Sequence, residues 1–125
     1  MQTPQPTVNY KLTIPAVPAS GNVLLRTHWA QRKLILDEWD RMVWALGKEA
    51  GLPNMDACII SATVYFSTSR KRDADNFEYG LKKILQDSLV RCGFLPDDSP
   101  EQITWGCVAL LVDRDNPRTE VTISM

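Results

Sequence analysis

Hydrophobic and polar positions alternate over residues 8–14, and that two-residue period predicts a short strand ended by Pro15. Residues 15–26, with Pro18, Ser20, Gly21 and Asn22, read as a loop. The period then changes. Leu36, Trp39, Val43, Leu46 and Ala50 recur at three- and four-residue steps, the stripe of a helix with one buried face. Thr27 is placed to cap that helix, because its hydroxyl oxygen can accept from a free first-turn amide; Gly51 and Pro53 end it. A second strand over residues 57–66 sets Ile60, Ala62, Val64 and Phe66 on one face. A polar loop over 67–72 leads to a second helix, from about Asn76 to Cys92, stopped by Gly93. Its buried face is Phe77, Leu81, Ile84, Ser88 and Cys92, widened by Leu85 and Leu89. Residues 103–112 are apolar enough for a central strand, and after a turn at 113–118 a last strand runs over 119–123. The order β-α-β-α-β-β predicts an α+β fold, one two-layer domain over residues 1–125 with helices packed on a mixed β-sheet.

Composition narrows the setting. A chain of 125 residues that is 44% hydrophobic can bury one core. No segment approaches the roughly 20 apolar residues that span a bilayer, so no membrane association is expected. Residues 1–7 are polar with two prolines, a loose tail rather than a signal peptide. Cys58, Cys92 and Cys107 each sit in an apolar segment without metal-finger spacing, and their odd number argues against a disulfide framework. Reduced thiols in a cytoplasmic protein are the expectation. The net charge of −1 excludes binding to nucleic acid by bulk charge. Basic residues do cluster locally, as Arg26, Arg32 and Lys33 and as Arg70, Lys71 and Arg72. His28 is the single histidine, so a histidine metal triad is absent, and no glycine-rich phosphate loop exists.

The candidate chemistry lies in Asp73-Ala74-Asp75-Asn76, directly after Arg70-Lys71-Arg72, with a second acidic pair, Asp97-Asp98, one helix later. Carboxylates are hard oxygen ligands suited to Mg²⁺ or Mn²⁺, and adjacent Arg and Lys suit a phosphate-rich substrate. Each cluster also has an ordinary structural use. Asp and Asn cap helices, and Asp pairs are common in turns. A helix over 76–92 spans about 25 Å. The clusters therefore meet only if residues 94–98 fold back along it, or if a second subunit brings its own cluster close.

Three stretches in order, Lys71-Arg72-Asp73-Ala74-Asp75-Asn76, Leu81-Lys82-Lys83 through Asp87-Ser88-Leu89, and Gly93-Phe94 through Asp97-Asp98-Ser99, resemble the RusA family of Holliday junction resolvases. The resemblance implies metal-binding carboxylates at Asp73, Asp75 and Asp98, an assisting helix lysine, Mg²⁺ or Mn²⁺ as cofactor, and a homodimer acting on four-way DNA junctions. Beside these, the local basic patches and the motif's asparagine make Arg70, Lys71, Arg72, Asn76 and Arg26 the candidate DNA contacts. A two-fold dimer matches a junction needing two symmetric cuts, and it would bury part of the Trp-rich helix or a sheet edge. One departure stands out. The family's lysine position, four residues after the second aspartate, holds Tyr79 here. Treating Phe77-Glu78-Tyr79-Gly80 as an insertion moves the role to Lys83, whereas helix geometry favours Lys82, about 20° from the direction of Asp75 against about 80° for Lys83. A branched-DNA-binding protein of the same type that cuts weakly is the alternative.

Overall fold

The computed structural model describes residues 8–97 and 99–125. The tail over residues 1–7 and Asp98 lie outside the described residues. Strand β1 (Asn9–Ile14), helix α1 (Gly21–Arg26), helix α2 (Trp29–Glu49), strand β2 (Cys58–Phe66), helix α3 (Ala74–Arg91), strand β3 (Ile103–Val112) and strand β4 (Arg118–Ser124) follow in chain order. The four strands form one mixed sheet in the order β1-β4-β2-β3. Pairing is antiparallel for β1 with β4 and for β4 with β2, and parallel for β2 with β3 across α3. The expected α+β arrangement of helices on a mixed sheet is the one observed.

Strand alternation decides which face is covered. Ile60, Ala62, Val64 and Phe66 of β2 are buried, as are Val121 and Ile123 of β4 and Leu12 and Ile14 of β1. Helix α3 closes this face with Leu81, Ile84, Leu85 and Leu89, and α2 adds Trp39 and Val43. The two helices are tied by Asp40. Its carboxylate accepts from Arg91 Nε at 2.7 Å and Nη2 at 2.9 Å, and from Ser88 Oγ at 2.6 Å. The hydroxyl of Ser88 thus satisfies a fully buried polar group on the apolar face of α3.

Four local expectations are corrected. The loop over 15–26 contains α1, because Ser20 caps it by accepting from Val23 N and Leu24 is buried beneath it. Thr27 closes α1, and His28 caps α2 through its ring nitrogen. Ala50 is exposed at the end of α2; Gly47 takes the buried position, where a side chain would strike the Phe94 ring. Strand β3 lies at the sheet edge rather than its centre. Its apolar composition does not come from burial on both sides, since Leu111 and Val112 are 49% and 44% exposed.

Helix α1 is held on the first turns of α3 by close backbone approach. Gly80 faces the carbonyl of Ala19, and any Cβ at residue 80 would collide with it. Gly21 meets the Tyr79 ring and the Asn76 side chain in the same way. Tyr79 and Gly80 therefore dock this segment within an unbroken helix, and Phe77 is set edge-on to Phe66 at 5.0 Å.

Candidate functional site

Helix α3 begins two residues earlier than its apolar period indicates, because Asp73 is its N-cap. The backbone at Asp73 is extended, and one carboxylate oxygen accepts from the amide of Asn76 at 3.3 Å. That bond satisfies a first-turn donor and fixes the carboxylate over the helix start. Asp75 follows in the first turn, and both acids are exposed. The positive end of the helix dipole favours carboxylates here, so capping alone accounts for their position. What capping does not require is a cationic approach, and exposed Arg70 and Lys71 provide one immediately before them.

Arg72 and Asn76 have structural partners. The Arg72 guanidinium donates to the Thr68 and Arg70 carbonyls at 2.8 and 2.9 Å and to Thr68 Oγ1 at 2.8 Å. It also stacks 3.9 Å above the Phe66 ring, which holds the loop before α3 in shape. Asn76 Oδ1 accepts from the Asn22 amide at 2.9 Å and so locks α1 to the site. Arg26 lies exposed at the other end of α1.

Both candidate lysines are engaged along their own helix. Lys82 pairs with Glu78 at 3.9 Å and its ammonium sits 5.6 Å from the Trp105 ring centre. Lys83 pairs with Asp87 at 3.4 Å and is the more exposed of the two. Glu78 escaped the sequence reading, although its spacing, three after Asp75 and four before Lys82, puts it on that helix face. Gln86 continues the face, accepting from the Trp105 indole at 2.6 Å.

The residues that follow α3 are anchored at the opposite end of that helix. The amides of Phe94 and Leu95 both donate to the Leu89 carbonyl, and Phe94 is buried against Gly47. After the turn, the Ser99 carbonyl accepts from Gln102 and Ile103, and Ile103 pairs with Cys58 at the start of β2. Asp73 sits by the other end of that strand, where Phe66 packs on Phe77 and pairs with Val112. The described residues after α3 thus stay by the end of that helix remote from Asp73, which caps its start. Asp98 itself is outside the described residues.

Among the described residues, no group of three or more Asp, Glu, His or Cys gathers to hold a metal ion. Among the described residues, Asp73 and Asp75 are the exposed carboxylates at the start of α3. Two carboxylates fit Mg²⁺, which keeps several waters and is commonly bound through one or two carboxylates plus substrate phosphate. No described helix is long and apolar enough to cross a membrane. No protein-family model matches the chain, and no curated protein matches it as a relative.

Proposed function

We propose that this protein is a metal-dependent endodeoxyribonuclease that cuts four-way DNA junctions by paired phosphodiester hydrolysis, working as a homodimer. One observation carries the reading: two exposed carboxylates at the start of α3 directly follow two exposed cations, within the ordered motifs that resemble RusA resolvases. Asp73 and Asp75 would hold Mg²⁺ or Mn²⁺. Held there, such an ion would supply positive charge toward phosphate oxygens and Lewis acidity toward water.

The protein's own groups do the remaining work. The Asn76 amide orients the Asp73 carboxylate before any ligand arrives. Arg70 and Lys71 position the DNA backbone through its phosphates, which sets register without reading sequence. Arg72 shapes the loop that presents them. Lys82 would neutralise developing negative charge after exchanging its long 3.9 Å contact with Glu78 for phosphate; Lys83 would have to leave Asp87.

The two lysine ion pairs favour one alternative, a protein that binds branched DNA but cuts it weakly. Incubation with a synthetic mobile four-way junction, with and without Mg²⁺, separates the two. The nuclease reading expects symmetric Mg²⁺-dependent nicks that vanish in Asp75→Asn while junction binding persists or tightens. Junction binding with no nicks in either metal selects the alternative. Wild-type nicking by Asp75→Asn removes Asp75 from the site.

A further inference from the structure

Residues 21–36 carry Arg26, Arg32 and Lys33 and no acid, although the whole chain is at −1. Within this basic segment Trp29 is 70% exposed, whereas Trp39 on the same helix is 3% exposed. Leaving so large a ring in water forgoes the burial that usually makes Trp useful to a fold. The ring is also held in place. It lies 5.6 Å from the His28 ring at a tilt of 35°, and His28 is fixed as the cap of α2 by accepting from the Ala30 amide at 3.3 Å.

Trp29, Arg32, Lys33 and Leu36 recur at three- and four-residue steps and so share one face of α2. With Asp37 and Arg91 they line an open groove of about 290 Å³. Small-ligand sites run from about 300 to 1,000 Å³, so the groove has room for one flat ring system rather than a whole cofactor. Two of its cations are already compensated: Lys33 pairs with Asp37 at 2.8 Å and Arg91 with Asp40 at 2.7 Å. Arg32 has no ion pair among the described residues. Its Nη2 donates to the Thr27 carbonyl at 3.1 Å, and its Nε is buried without an acceptor. Buried donors nearly always have partners, so Arg32 stands out as the uncompensated charge of the groove.

We propose that this groove binds single-stranded DNA, with Trp29 stacked on the face of an unpaired base and Arg32, Lys33 and Arg26 on the flanking phosphates. An aromatic face beside cations is the chemistry that holds single strands, and a duplex hides the base faces it would need. Cations strung along the chain, with no glycine-rich phosphate loop, suit a strand better than a free nucleotide. A lipid surface would require the exposed apolar residues on one side. Exposed Leu34 instead lies about 140° around the helix from Trp29. Arg91 is the last residue of α3 and Asp73 caps its start, so the groove stands by the end of α3 remote from the candidate metal site. It rests on its own side chains; only a use on unpaired bases at a four-way junction rests on the proposed function.

Fluorescence anisotropy with a labelled oligothymidylate tests it. Wild type is expected to bind, and Trp29→Ala to bind about tenfold more weakly or worse with unchanged circular dichroism. Trp29→Phe should keep most of the affinity, and Trp44→Ala, at a 52% exposed position on the same helix, all of it. Lys33→Gln should flatten the salt dependence by about 0.7 log units per decade, and it decides alone should Trp29→Ala lose its fold. A wild type that ignores the oligonucleotide, or Trp29→Ala binding like wild type, would overturn the proposal. So would thymidine monophosphate bound as tightly as the oligomer, or phosphatidylserine vesicles bound in its place. Trp29→Ala that sediments as a smaller species yet still binds the oligomer would give the residue to a protein interface instead. Junction nicking by a protein that ignores the oligomer removes the groove and keeps the nuclease. Trp29-dependent oligomer binding by a protein that never nicks does the reverse.

Discussion

At Asp73 one carboxylate caps α3 through the Asn76 amide and, in the proposed function, would also offer oxygens to a cation. Substitution separates the two roles. Asn caps a helix about as well as Asp, whereas Ala costs about 1 kcal/mol. Asp73→Asn should therefore unfold in urea within about 0.5 kcal/mol of wild type, yet lose Mg²⁺-dependent nicking by roughly a hundredfold or more, as loss of metal support does. Asp73→Ala should lose both. If Asp73→Asn nicks like wild type while Asp73→Ala is merely less stable, the residue is a cap and nothing else. Cys58 illustrates the opposite situation, a group withdrawn from chemistry, since burial pushes its thiol up to about 11.

Between elements, the Asp40 clamp joins α2 to α3 and so sets the platform on which the site stands. Burial alone would raise the Asp40 carboxyl, but hydrogen bonds from Arg91 and Ser88 and the Arg91 charge outweigh it, and the net shift is downward. The sign of the pH effect follows. With a folded value below the unfolded one of about 3.9, this group adds stability above that pH. The contribution fades as pH falls through the folded value. Asp40→Asn should thus be less stable than wild type at neutral pH, by about 1–3 kcal/mol for lost bonds to a charged group. Its unfolding free energy should also vary less below about pH 4. Denaturant melts between pH 7 and pH 2 measure both. Parallel slopes in the two proteins would show that Asp40 is not a source of acid sensitivity.

For the whole molecule, the charge of −1 means that any affinity for a polyanion has to come from local surfaces or from an assembly that lines them up. Arg70 and Lys71 are exposed beside the candidate site, while Arg118 is held by Asp113 and Glu120 at 2.8 and 2.9 Å and adds no free cation. Junction affinity should fall by roughly 0.7–0.9 log units per phosphate contact for each decade of salt. Replacing Arg70 and Lys71 together by Ala should flatten that slope by about two contacts per protomer. Fluorescence anisotropy across a salt series provides the measurement, and binding indifferent to salt would speak against phosphate recognition.

Local pattern determined a good deal of this protein. The two-residue period of β2 marked its buried face, and the stripe from Leu81 to Leu89 marked that of α3. The acids and cations at the start of α3 were visible as residue types in order. Periodicity records which side of an element avoids water, but not which neighbour covers it. Only tertiary structure decided that α1 forms, since six residues are too few to show a helical period and Ser20 and the Gly80 contact complete it. Only the order β1-β4-β2-β3 put the apolar β3 at an edge, because strand order comes from long-range pairing rather than composition. The course of the chain after α3 was decided in the same way. Burial of Phe94 against Gly47 and its bond to Leu89 fix the chain at the far end of α3, a packing choice that no spacing of carboxylates encodes.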